Sequence, residues 1–104
     1  MTKRASLLAG LEPVHPGAFL REDVLPSVKL SKTGLAAALG ISRAQLYAIL
    51  GEQAPVTAAM ALRLGKFFGN GPEFWLNMQS NYDIETLGRK MKKQLAAIPH
   101  VEAA

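Results

Sequence analysis

Arg43, Gln45 and Tyr47 follow Ser42 closely, a grouping whose chemistry is hydrogen bonding rather than bond breaking. A guanidinium donates a fork to guanine O6 and N7, and a carboxamide pairs with adenine N6 and N7. A serine that opens a helix leaves its hydroxyl and the first backbone N–H groups free for a phosphate. No comparable grouping suits catalysis. Glu22 and Asp23 are adjacent, so on a helix they point apart and cannot share one reacting centre. His15 lies in His15-Pro16-Gly17, where a cap and packing role is expected, and His100 lies in the tail with no second ligand at metal spacing. The chain has no Cys, which excludes disulfides, thiolate metal sites and cysteine nucleophiles. Gly69-Asn70-Gly71 has neither a preceding strand nor a third glycine, so it reads as a turn rather than a phosphate loop. No catalytic residues, metal ligands or cofactor site are expected, and the chain does not read as an enzyme.

The elements that must carry Ser42–Tyr47 follow from punctuation and from 3.6-type apolar spacing, with no sustained alternation of the kind strands need. Pro16 sits at the start of a first helix bearing Phe19, Leu20 and Val24, and Pro26 is expected to limit it. Ser31 caps a short second helix with Leu35, Ala36 and Leu39 inward, and Gly40 stops it. Ser42 caps a third through about Leu50, with Leu46 and Ile49 inward. Thr57 caps a fourth with the stripe Met60, Ala61, Leu64, Phe67 and Phe68. Pro72 opens a fifth carrying Phe74, Trp75, Met78 and Tyr82. A separate final helix is expected between Ile84 and Ile98, with Leu87, Met91 and Leu95 on its apolar side. The 104 residues suit one all-α domain. An apolar fraction of 49% and a charged fraction of 19% exclude wholesale disorder. No apolar run is long enough to span a membrane, and Met1–Leu11 lacks a convincing signal-peptide core, so a cytoplasmic location is expected.

Leu30 to Leu50 is the informative stretch. Two short capped helices meet across Leu39-Gly40-Ile41, and small Ala36 sits where the second packs on the first. Polar, long-reaching side chains follow the turn at once. This is the layout of a DNA-binding helix-turn-helix, whose second helix enters the major groove by its N-terminal residues. The alternative is an αα-hairpin inside a helical bundle.

His15-Pro16-Gly17, this helix-turn-helix, Pro55-Val56-Thr57, Met60-Ala61-Leu62-Arg63-Leu64 and Pro72-Glu73-Phe74-Trp75-Leu76-Asn77-Met78-Gln79 occur in that order. Together they resemble the HigA-type antitoxins, XRE-family (lambda-repressor-like) proteins of bacterial toxin–antitoxin operons, over about residues 13–85. The resemblance implies a five-helix DNA-binding domain, here with an additional C-terminal helix. It also implies a homodimer, repression of its own operon at a double-stranded DNA operator, and neutralisation of a small RelE/HigB-like toxin by binding. Ser42, Arg43, Ala44, Gln45 and Tyr47 match the family's recognition helix. Arg43 and Gln45 are the expected base contacts, and Lys32, Thr33 and Tyr47 the expected phosphate contacts. Trp75 with Phe74 and Met78 is expected as core, or as core shared across a dimer, and Phe74, Trp75, Met78 and Tyr82, with the following helix, are the expected dimer surface. The sequence departs from the family where many relatives carry a basic pair before Pro-Val-Thr, for it reads Gly51-Glu52-Gln53-Ala54. Ala48 likewise replaces a frequent arginine, and both losses should flatten the salt dependence of binding.

The expected organisation is therefore a flexible segment over 1–12, the helix-turn-helix domain over 13–83, and a C-terminal helix and tail over 84–104. The alternatives are a regulator with no toxin partner, or an interaction module that has lost DNA binding. Net charge is a weak guide. The total is +4, but residues 1–84 hold eight basic and six acidic side chains, and the cluster Arg89-Lys90-Met91-Lys92-Lys93 supplies four of the 12 cations. That cluster is either a solvated face or a docking surface for phosphate or acidic protein.

Overall fold

The computed structural model describes residues 12–102, so the expectation for residues 1–11 falls outside the described part. Among the described residues six helices and no strands occur. Helix α1 is continuous but composite: α-helical Pro16–Phe19, a π-helical turn Leu20–Val24, and α-helical Leu25–Val28. Helices α2 (Lys32–Leu39) and α3 (Arg43–Leu50) follow, then α4 (Ala58–Phe68), α5 (Pro72–Lys90) and α6 (Lys92–Ala96).

Two boundaries differ from expectation. Pro26 does not end α1, because the π turn lets the N–H of Leu25 reach the carbonyl of Leu20. Wider winding there accommodates the proline ring and the lost donor, which would otherwise break an α-helix. The helix stops two residues later, where Lys29 takes a left-handed conformation (φ 53°). The second difference is larger. Residues 72–90 form one helix, so the limit drawn between 83 and 84 cuts through α5, and no separate helix begins at Ile84. No Gly or Pro falls between Glu73 and Leu87, and side-chain bonds run along the helix, from Gln79 Nε2 to Asp83 Oδ1 (2.9 Å) and from Thr86 Oγ1 to the carbonyl of Tyr82 (2.9 Å). The break falls at Met91 instead.

Leu20, Leu35, Leu46, Val56, Leu64 and Trp75 form the fully buried centre. Each of those aliphatic side chains contributes about 1.5–3 kcal/mol by leaving water. This core lies between α1, the α2–α3 pair, α4 and the first half of α5. Beyond it the outer half of α5 is mostly exposed, and the molecule extends over 53 × 29 × 24 Å. None of α6 is buried.

Candidate nucleic-acid interface

Ser42 and Gln45 form a reciprocal capping box at the start of α3. The N–H of Gln45 donates to Ser42 Oγ (3.0 Å), and the N–H of Ser42 donates to Gln45 Oε1 (3.1 Å). Each satisfies a donor that a helix end leaves open. Ser31 does the same for α2, accepting from the N–H of Gly34 at 2.9 Å. The chain turns by 115° between α2 and α3. Gly40 makes the turn possible by adopting φ 73°, and its N–H and that of Ile41 close back on the carbonyls of Ala37 and Ala36. These distances and caps account for why so short a segment holds two rigid helices.

Ser42, Arg43, Ala44, Gln45 and Tyr47 are all exposed, while Leu46, Ile49 and Leu50 on the opposite side of α3 are buried. Lys32 and Thr33 are exposed at the start of α2. Lys32 Nζ sits 5.7 Å from the centre of the Tyr47 ring, so two of the three phosphate-contact candidates meet across the pair of helices. With Arg21, Leu50 and Gly51 they line a shallow depression of about 210 Å³. The structure thus brings Lys32 and Tyr47 together and places Arg43 and Gln45 on the same short helix. Gln45 departs from the expected chemistry in one respect. Its Oε1 is held by the cap, so only Nε2 is available outward, and a two-bond pairing with adenine requires the capping box to open.

Side chains that the sequence reading passed over position this face. Arg63 on α4 donates from Nη1 to the carbonyl of Leu39 at 2.6 Å, holding the C-terminal end of α2. Arg21 on α1 donates from Nη1 to the carbonyl of Leu50, at the end of α3. Its Nη2 meets Glu22 (2.7 Å) and Glu52 (3.3 Å). The hydrogen bond to Glu22 raises the guanidinium pKa, burial opposes it, and Glu52 adds to the rise. Glu52 therefore stands where many relatives carry a basic residue, and through Arg21 it ties α1 to the end of α3. Gly17 completes the contact. A Cβ on it would lie 1.7 Å from the carbonyl oxygen of Ile49, so only glycine lets α1 cross α3 this closely. The loop to α4 is held by Gln79, which is buried on α5 and accepts the N–H of Val56 at 2.7 Å. A polar residue four positions after Trp75, on the stripe that faces the core, was the signal available for Gln79. Arg21 and Arg63 carried none.

The expected dimer surface is corrected at Trp75. Its ring is 1% exposed, packs between Phe19, Phe68 and Phe74, and donates from Nε1 to Asn70 Oδ1 at 2.9 Å, so it belongs to the protomer core. Tyr82 is half-buried and meets the His15 ring edge to face at 5.0 Å, and Met78 is half-buried too. Phe74 remains exposed. His15 is the N-cap of α1, as expected, with Nδ1 accepting the N–H of Gly17 at 2.9 Å.

A glycine-turned pair of capped helices, buttressed by three more helices around one core, defines a lambda-repressor-like helix-turn-helix protein. No family model matches the chain. It is 44% identical over 72 residues to virulence-associated protein I of Dichelobacter nodosus, a match spanning 69% of this chain and 67% of that protein. The Pseudomonas aeruginosa antitoxin HigA, solved with the higBA promoter, superposes with a TM-score of 0.82 at 36% identity, covering 88% of this chain and all of that one. An addiction-module antidote protein of the HigA family from Coxiella burnetii superposes at 0.79 with 41% identity, covering 88% and 99%. The chain belongs to the HigA family of helix-turn-helix antitoxins. No single helix among the described residues is long and apolar enough to cross a membrane.

Proposed function

We propose that this protein is a dimeric repressor of its own operon that also neutralises a partner toxin by binding it. The observation that carries the DNA-binding half is the capped start of α3. It presents Ser42, Arg43, Gln45 and Tyr47 to solvent beside Lys32 and Thr33, on a helix whose other side is locked into the core. The structure of a relative with its promoter supports this reading. Arg43 reads a guanine in the major groove, Gln45 donates from Nε2 to a neighbouring base, and Ser42, Lys32, Thr33 and Tyr47 hold the flanking phosphates. Two recognition helices in a two-fold dimer fit a near-palindromic operator with half-sites about 34–36 Å apart.

The surface that would pair two copies is the outer half of α5 with α6. Ile84, Leu87, Met91, Leu95 and Ile98 run along one side and are between 38% and 70% exposed. This succession, with Phe74 at the other end of α5, replaces the aromatic set built around Trp75. The domain accordingly spans residues from about 13 into α5, and the second half of α5 begins the assembly segment. Toxin neutralisation rests on the family alone, and a small RelE/HigB-like protein is the proposed partner.

A mobility shift with the duplex immediately upstream of its own reading frame tests the repressor. Wild-type protein gives a salt-sensitive shift, and Arg43→Ala weakens it by about 1–3 kcal/mol, the worth of one two-pronged base contact. No shift at low salt overturns the reading. Co-expression with the neighbouring gene, followed by pull-down and a growth test, checks the toxin.

A further inference from the structure

His15 stands where three elements meet. The residue is 4% exposed, its Nδ1 caps α1 through the N–H of Gly17, and its ring stands nearly perpendicular to that of Tyr82 on α5. The backbone of Ala54, in the loop after α3, lies near enough to favour the charged ring. A groove of about 380 Å³ opens beside the ring, and Glu52, Gln79 and Asp83 are among the residues that line it. The charged groups that face the ring are Glu52 from the loop, Asp83 from α5 and Arg21 from α1, and Tyr82 is the remaining titratable neighbour. Accepting the N–H of Gly17 takes a lone pair on Nδ1, so the ring is neutral and its proton is on Nε2.

We propose that His15 is a proton-controlled positioning residue that braces the C-terminal end of the recognition helix when neutral and releases it when charged. A second proton has to go on Nδ1, where it faces the N–H of Gly17, donor against donor. The first turn of α1 then loses its cap. Gly17 is the residue pressed on the carbonyl of Ile49, and Arg21, one turn later, holds the carbonyl of Leu50. A loosened α1 therefore lets go of the two carbonyls that end α3. Burial lowers the imidazole pKa below 6.5, with Glu52, Asp83 and the Ala54 backbone pulling against it and Arg21 adding to the fall. The unfolded chain consequently binds the proton first. The stability contributed by neutral His15 is complete above the ordinary histidine pKa and is lost as pH falls from there toward the lower folded value.

Amide NMR spectra of wild-type protein and His15→Asn, between about pH 8 and about pH 5, test the brace, since asparagine keeps a capping acceptor without titrating. In wild type the Leu46–Gly51 amides move with the His15 imidazole, and in the variant they stay still. The affinity of the upstream duplex, a readout that rests on the repressor reading, falls on acidification by up to about tenfold more in wild type than in His15→Asn. Amides that stay still while His15 titrates, or that move equally in the variant, overturn the proposal. A wild-type protein whose amides titrate with His15 but which binds the duplex at no pH removes the repressor reading and leaves the brace intact. His15→Ser supplies the same capping acceptor if the asparagine variant does not fold.

Discussion

The helix-turn-helix half and the outer half of α5 are built in opposite ways. Around α3, other elements fix the backbone at four points: Arg21 on the Leu50 carbonyl, Arg63 on the Leu39 carbonyl, Gln79 on the Val56 N–H and Gly17 packed against Ile49. Along residues 84–96 the helix bonds are local, the exposed Arg89 reaches Glu12 at 3.6 Å, and the large apolar side chains face solvent. One half holds a surface to a fixed shape, as reading a rigid groove requires. The other leaves apolar area that a protomer alone does not cover, which is how a surface meant for a partner differs from a core. An isolated helix as short as α6 is not self-sustaining in water, and within the protomer it leans on the end of α5.

Glycine substitutions give the sharpest contrast between the halves. Gly17→Ala places a methyl group into the Ile49 carbonyl, and an expected loss of about 3 kcal/mol or more would appear as a large drop in the urea midpoint. Retained stability would mean that α1 does not brace α3. Gln79→Ala leaves the Val56 N–H buried and unpaired and should cost about 1–3 kcal/mol in the same measurement. Gly88→Ala meets nothing within 4 Å and lies inside a helix, so it should stabilise by about 0.5–1 kcal/mol. Leu87→Ser and Leu95→Ser should change protomer stability by no more than about 0.5 kcal/mol. Together, however, they should shift the sedimentation equilibrium toward monomer. A double variant that loses as much protomer stability as Gln79→Ala would erase the distinction between the two halves.

Much of the fold could be read in advance because it depends on neighbours in the chain. The Ser31, Ser42 and Thr57 caps, the Gly40 turn and the His15-Pro16 start are each set within four residues, and each stands where the spacing predicts. The capping box showed itself only in part, since a Gln three residues after Ser42 also suits base contact. Pro26 limits α1 only to Val28, because a helix that widens to a π turn carries past a proline. The expected break at Ile84 does not occur, because no helix-breaking residue stands between Tyr82 and Leu87 and the helix runs on to Lys90. Among site residues, exposure of Arg43, Gln45 and Tyr47 was legible from the burial of Leu46, Ile49 and Leu50 on the opposite side. The Lys32–Tyr47 contact was not, because it depends on how two helices cross.

By itself, then, the sequence determined the helical class, the caps, the turn and the short list of donors at the start of α3. Those are properties of local backbone chemistry and of one helix face at a time. Only the tertiary structure decided that Trp75 is core, that Arg21 and Arg63 bind carbonyls at the ends of α3 and α2, that Glu52 is an ion-pair partner, and that the uncovered apolar side runs from Ile84 to Ile98. Residues 24 to 31 positions apart meet in those contacts. Their pairing follows from the crossing of helices around one core, a relation that no spacing along the chain encodes.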